Sequence, residues 1–210
     1  MKKILLIFLI PLINLSAQWD FSLSMGLDFK AALSYRDYIN SAPGYDNLST
    51  FTSSVNFAGE VGYMLSPNLQ IGIEHSIVLD SYNKNTGLGG VYEISYTHQR
   101  PTALCYYVLA GKGYKFKFGG GVGLRFVSLT ERIITDTDYT ASGFGILLKA
   151  EGNTLLSDNF YALIGVDLRY DLPGELKSAN GSYIVNQYSN EKMNLNSLSI
   201  GIKLGVAYLL

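Results

Sequence analysis

The chain has 210 residues, 16 Lys and Arg against 17 Asp and Glu, and a formal net charge of −1. That balance excludes the basic surface that nucleic acid demands, and a single cysteine, Cys105, excludes an intrachain disulfide and a cysteine-based zinc site. Gly (22), Tyr (16) and Phe (10) are abundant, yet no stretch after residue 17 approaches the ~18 apolar residues of a membrane helix.

The chain opens on a basic Met1-Lys2-Lys3, an apolar run from Ile4 to Ile13, and Leu15-Ser16-Ala17 ending in a small residue. This pattern predicts a secretory signal peptide, residues 1–17, cleaved to leave Gln18. Pro11 and the shortness of the run argue against a membrane anchor, and the absence of a nearby cysteine argues against a lipoprotein. Removing residues 1–17 takes away Lys2 and Lys3, leaving 14 bases against 17 acids, a formal charge of −3 over one domain, 18–210.

From there apolar residues recur at every second position, the period of a strand with two unlike faces. Strand 1 sets Trp19, Phe21, Leu23, Met25, Leu27 and Phe29 against Asp20, Ser22, Ser24, Gly26, Asp28 and Lys30. Residues 31–50, with Pro43-Gly44, read as a long loop. Strand 2 sets Phe51, Val55, Phe57, Val61, Tyr63 and Leu65 against Thr52, Ser54, Asn56, Glu60 and Gly62, and Ser66-Pro67-Asn68 turns it into strand 3. Strand 3 carries Leu69, Ile71, Ile73, His75, Ile77 and Leu79 opposite Gln70, Gly72, Glu74, Ser76 and Asp80, and a loop is expected over 81–90.

In strand 4 the apolar-leaning set is Tyr92, Ile94, Tyr96, His98, Arg100, Thr102, Leu104, Tyr106 and Val108, with a bulge expected at Pro101. A short turn at 110–113 leads to strand 5, where Tyr114, Phe116, Phe118, Val122, Leu124 and Phe126 alternate with Lys115, Lys117, Gly119, Gly121, Gly123 and Arg125. A medium loop over 129–138 precedes strand 6, with Phe144, Ile146, Leu148 and Ala150 against Gly143, Gly145, Lys149 and Glu151. Ser157-Asp158-Asn159 turns into strand 7, with Phe160, Ala162, Ile164, Val166, Leu168 and Tyr170 against Gly165, Asp167, Arg169 and Asp171. A last long loop, 173–192, leads to strand 8, where Leu198, Ile200, Ile202, Leu204, Val206, Tyr208 and Leu210 alternate with Ser199, Gly201, Lys203, Gly205 and Ala207.

Eight strands joined alternately by long and very short connections predict an all-β, antiparallel, up-and-down barrel. The segments and their rhythm resemble the small outer-membrane β-barrels formed by the transmembrane part of OmpA and by OmpX. The final stretch resembles the C-terminal assembly signal of bacterial outer-membrane barrels, with Lys203 as the polar residue, Gly205 as the glycine, Tyr208 as the aromatic and Leu210 in place of the usual Phe. The resemblance implies a transmembrane barrel of the bacterial outer membrane with both termini periplasmic. It also implies outer-membrane lipid, lipopolysaccharide and the barrel-assembly machinery as partners, and a monomeric state.

Three features point the apolar face to lipid. Opposite charges stand mid-strand on the other face (Lys149 with Glu151, Asp167 with Arg169), and that face is rich in small residues. Aromatics gather near the stripe ends at Trp19, Tyr63, Tyr96, Tyr106, Tyr114, Phe160, Tyr170 and Tyr208, as in interfacial girdles.

Glu74-His75-Ser76 does not make a catalytic set, because successive strand residues point to opposite faces. His75 is expected beside a strand 4 tyrosine, with His98 and Arg100 at the outer edge, Arg100 reaching lipid phosphates. The glycines of 119–123 lack the helix of a phosphate loop, and no catalytic, cofactor or metal site is expected. The loop tyrosines Tyr35, Tyr38, Tyr45, Tyr183 and Tyr188 read as surface residues or, alternatively, as a binding surface.

If Leu65 faces Leu69 across the short turn, five steps back along each strand set Glu60 against Glu74 on the inner face. Such a pair needs a cation between its members or a proton on one of them. Lys117, Lys149, Arg169 and Lys203 stand at comparable depth, and at least one is expected to bridge the pair, with Glu151 and Asp167 completing a knot that plugs the lumen. The expected function is a surface protein with a structural, adhesive or binding role. A narrow porin-like pore is the alternative, followed by a lipid A-modifying enzyme and a soluble ligand-binding barrel.

Overall fold

The computed structural model describes residues 19–41, 48–85, 90–186 and 189–210. The expected signal peptide, together with Pro43, Gly44, Tyr45 and Tyr188, lies outside them.

Eight antiparallel strands form a closed ring: β1 (Trp19–Ala31), β2 (Thr52–Ser66), β3 (Leu69–Asn85), β4 (Val91–Gly111), β5 (Tyr114–Arg132), β6 (Asp136–Ser157), β7 (Phe160–Leu172) and β8 (Ser197–Leu209). Each pairs with the next in sequence, and β1 closes on β8 from Asp20↔Leu209 to Ala31↔Leu198. No helix among the described residues is long and apolar enough to cross a membrane; the crossing elements are strands. The barrel is transmembrane, eight-stranded and up-and-down.

The turns 67–68, 112–113 and 158–159 lie at one end, where β1 begins and β8 finishes. Gly113 and Asp158 supply the positive φ (82° and 44°) that two of these turns require. The register shifts by one residue between Met64 and Ser66 and again between Leu155 and Ser157. Ser66, rather than Leu65, therefore faces Leu69.

The outer face is an apolar belt whose height can be read off the chain. On β3 it runs from Leu69 to Leu79, interrupted by His75, and gives way to Ser81, Asn83 and Asn85. On β5 it ends at Phe126, beyond which Ser128, Thr130 and Arg132 face out. About 11 residues at ~3.3 Å each, tilted ~45°, cover ~25 Å, the height of the apolar band of membrane barrels. Large outer side chains stay exposed here, such as Leu23 at 69 %, which only lipid can cover. β6, at 22 residues, is about twice the ~9–11 that a crossing needs. The hairpins β3–β4 and β5–β6 therefore stand well clear of the belt at the loop end.

That extension corrects several expected loops. β3 continues through Asn85, and the medium loop at 129–138 shrinks to residues 133–135. Cross-strand pairing above the belt continues as long as partners remain, whether or not the outer face is apolar. Residues 31–50 contain a helix, α1 (Leu33–Ser41), which buries Tyr35 and Ile39 on one side. A nine-residue helix is marginal alone; this one is held by packing. Within the last loop, Lys177–Ser178 pairs with Tyr139 and Thr140 of β6.

β4 corrects the largest expectation: its two faces are exchanged. The turn at 112–113 pairs Gly111 with Tyr114, Leu109 with Phe116 and Tyr107 with Phe118. Directly opposed residues share a face, so Leu109 and Tyr107 point to lipid. Tyr92, Ile94, Tyr96, His98, Arg100, Thr102, Leu104, Tyr106 and Val108 point inward and are buried. Tyr96 and Tyr106 leave the girdle, which at the turn end consists of Trp19 against Tyr63 (5.0 Å between rings), Phe160 against Tyr208 (4.9 Å) and Tyr114 against Phe116 (5.7 Å). Pro101 makes no bulge: the β4–β5 register is the same at Gln99↔Phe126 and Thr102↔Gly123.

The belt predicts a depth-dependent tolerance. Arg at Ile164 or Ile202, both mid-belt, should cost about 2–4 kcal/mol in a lipid-reconstituted unfolding titration, whereas Arg at exposed Ala179 should leave the midpoint unchanged.

Candidate functional site

Alternation sends one residue in two of every strand into the lumen, and in an eight-stranded barrel that space is just wide enough for side chains. What fills it is a ladder of ion pairs. At the turn end, Asp20 Oδ2 lies 3.0 Å from Lys115 Nζ and 3.4 Å from Lys117 Nζ. Lys117 then reaches Glu60 (3.2 Å) and Glu151 (2.7 Å).

At the next level Glu60 and Glu74 are direct cross-strand partners, both buried. Lys149 Nζ stands between them, 2.6 Å from Glu60 Oε2 and 3.1 Å from Glu74 Oε2, and also 3.0 Å from Glu151. Tyr106, on the inverted face of β4, donates its hydroxyl to Glu60 at 2.8 Å. Arg169 holds Glu74 (2.6 Å) and Asp167 (2.8 Å), and Lys203 holds Asp167 (2.7 Å).

Higher still, Arg100 lies 2.7 Å from Asp28 and 3.1 Å from Asp171, and Arg125 pairs with the other oxygen of Asp171. Asn56 donates to Asp28 and accepts from Ser76 Oγ at 2.9 Å. The last rung is Lys30 with Asp80, Lys30 also lying 4.4 Å over the Tyr96 ring. Eight carboxylates meet eight bases, and the ladder itself carries no net charge.

Glycine makes room where these groups crowd the wall. A methyl on Gly145 would sit 2.6 Å from Asp171 Oδ1, and one on Gly201 would sit 2.8 Å from Asp28 Oδ1.

Above the ladder the lumen turns apolar. Tyr35 and Ile39 of α1, Ile94 of β4, Leu129 of β5, and Leu176, Ile184, Met193 and Leu195 of the last loop form one buried cluster. Glu131 accepts hydrogen bonds from Tyr38 (2.6 Å) and Tyr92 (2.8 Å), tying helix and wall together. Burial, aided by that carboxylate, pushes the Tyr38 phenol well above its ordinary pKa.

All eight residues singled out from sequence for the lumen (Glu60, Glu74, Lys117, Lys149, Glu151, Asp167, Arg169 and Lys203) thus lie in one buried network. Arg100 and His98, assigned to the outer edge, are in the lumen instead. Asp20, Asp28, Lys30, Asp80, Lys115, Arg125 and Asp171, placed on the polar face but not joined to the knot, extend it along the barrel. The two-residue turn before Tyr114 was the available signal for Arg100, because it dictates which β4 residues share a face with Phe116 and Phe118.

His75 is exposed on the belt, between Gly59 and Pro101 and away from any β4 tyrosine; its neighbour Ser76 points inward. Among the described residues no group of three or more His, Cys, Asp or Glu could hold a metal ion. Of the strand carrying the assembly pattern, Lys203 belongs to the ladder and Gly205 packs against the β1 backbone. Tyr208 packs against Phe160 with the rings tilted by 58°, and the Leu210 amide donates to the Trp19 carbonyl at 2.9 Å.

The same fold is found among solved outer-membrane proteins. A major outer membrane protein of Thermus thermophilus superposes with a TM-score of 0.57 at 13 % identity, over 91 % of this chain and 99 % of that one. Ail of Yersinia pestis, solved with the heparin analogue sucrose octasulfate, gives 0.52 at 11 % identity, over 92 % and 99 %. Neisserial surface protein A gives 0.50 at 12 % identity, over 90 % and 96 %. The chain has the fold of the small outer-membrane β-barrels. Neither a family model nor a curated relative matches the sequence, so this likeness is one of architecture.

In this barrel Lys149 is the residue on which opposed Glu60 and Glu74 depend. Lys149→Met should destabilise the lipid-reconstituted barrel by about 3–5 kcal/mol, the cost of leaving buried charge uncompensated. Adding Glu60→Gln should return part of that loss in the same unfolding titration.

Proposed function

We propose that this chain is an integral protein of the bacterial outer membrane, with a lumen closed to ions and a function carried by its loop end. The observation that supports a closed lumen is the succession of three buried ion-pair groups from Asp20 to Lys30, roofed by the apolar cluster under α1. A conducting pore needs a continuous path of water, and here side chains take one another's charges where water would have stood.

In this reading the short turns and both ends of the barrel face the periplasm, and the long hairpins face outward. Lipid and lipopolysaccharide surround the belt, the barrel-assembly machinery inserts it, and it stands as a monomer. The role is structural or adhesive rather than enzymatic. In support, His98 is enclosed among Arg100, Arg125, Asp171 and Lys30, while His75 faces lipid without a hydroxyl nucleophile beside it.

Planar-bilayer recording tests the closure. The unmodified protein should give no large steady conductance at moderate voltage. A stable open channel would contradict the closed lumen and favour a narrow pore.

A further inference from the structure

The wall of the barrel is not continuous above the belt. β2 remains paired with β1 up to Lys30↔Thr52, and β3 remains paired with β4 up to Asn85↔Val91. The β2–β3 ladder, however, stops at Val55↔Leu79. Residues 52–54 and 80–85 therefore flank a lateral gap whose lower lip is the top of the apolar belt.

A cavity of about 530 Å³ occupies this gap, within the ~300–1,000 Å³ usual for small-molecule sites. Its floor is Leu27, Val55 and Leu79, and hydroxyls from four strands line the rest, among them Ser53, Ser81, Thr97 and Thr130. At the back it reaches Ser54, Asp80 and Tyr96, which belong to the lumen side.

One hydroxyl of this lining, Ser54 Oγ, is buried and has no hydrogen-bond partner; the hydroxyls of Tyr35 and Tyr82, outside the lining, are also buried and unpaired. Ser54 is 4 % and Tyr35 3 % exposed. Tyr35 packs against the lining residue Tyr96 (5.8 Å between rings), and Tyr82 stands two residues beyond Asp80 along β3. Ser54 and Asp80 thus share the back of the cavity. A buried hydroxyl left unpaired is costly, and one facing a cavity lined by further hydroxyls marks a place where something else supplies the bond.

The chemistry of that occupant follows from the charges. Lys30 compensates Asp80, and both Lys30 and the Tyr96 hydroxyl engage Oδ2, leaving Oδ1 as an acceptor. The recess is neutral, rich in groups that both donate and accept, and open sideways at the level of lipid headgroups. We propose that the β2–β3 gap binds a neutral saccharide, its hydroxyls satisfied by Ser54, Asp80, Ser81 and Thr97, carried either as a glycolipid headgroup or as a free sugar.

The test uses the full-length protein in dodecylphosphocholine micelles, titrated with maltose or with dodecyl maltoside while backbone amides are followed by NMR. Saturable shifts at Ser54, Asp80, Ser81 and Thr97 are expected. Binding about tenfold tighter for the maltoside assigns the site to a lipid-borne headgroup, and equal binding assigns it to free sugar. Ser54→Ala and Thr97→Val, both in the lining, should each weaken binding about three- to tenfold, the worth of one hydrogen bond. Since the Ser54 hydroxyl has no partner to lose and Thr97 lies on the outward face, the rest of the spectrum should stay unchanged. Absence of saturable shifts with both probes, or undiminished binding in both variants, would overturn the proposal. Neither result depends on whether the lumen conducts.

Discussion

The constraint on which the structure depends is the meeting of Glu60 and Glu74. Register places them face to face on the inner side of β2 and β3, where cross-strand side chains start about 5 Å apart. Two carboxylates at that separation repel by about 3 kcal/mol at the effective dielectric of a protein site, before desolvation is counted. Lys149, from the far side of the ring, turns that repulsion into a bridge. Because Lys149 answers two acids and contacts a third, its charge must be shared. Lys117 and Arg169 enter for that reason, and Asp20, Asp167 and Lys203 follow from them. A buried ion pair is a poor source of net stability, but a chain of them that tolerates no missing member specifies one arrangement of eight strands.

The outer surface and the roof obey the same logic in different solvents. Facing lipid, backbone polar groups are satisfied only by closure, and the β1–β8 ladder provides it. Facing water at the loop end, apolar side chains that the ladder cannot use are drawn under α1 and the last loop. The β2–β3 gap lies where these regimes meet, above the lipid belt and beside the Lys30–Asp80 rung.

Much of this fold is legible in period-two alternation, because a barrel with lipid outside and charge inside writes its two faces directly into each strand. The opposition of Glu60 and Glu74 is legible too, since a short turn leaves few registers, even though a bulge changes the partner of Leu69. β4 is harder to read for a physical reason. Above the belt its outward residues are Glu93, Ser95, Thr97 and Gln99, while the inward ones are the tyrosines and Ile94 of the roof, so apolarity reports the roof and not the lipid. Alternation cannot resolve that, whereas pairing with β5 can. α1 escapes notice because its nine residues carry no strong start signal and form a helix only by burying Tyr35 and Ile39 against elements distant in sequence.

The central claim is that the lumen bases are locked to carboxylates and shielded from water, and lysine ammonium NMR tests it most directly. In ¹⁵N-labelled protein reconstituted in lipid, the side-chain ammonium signals of Lys117, Lys149 and Lys203 should be resolved and slow to exchange with solvent, and that of Lys149 should be lost in Lys149→Met. Ammonium groups exchanging as fast as exposed Lys192 would mean that water fills the lumen, and would contradict the account.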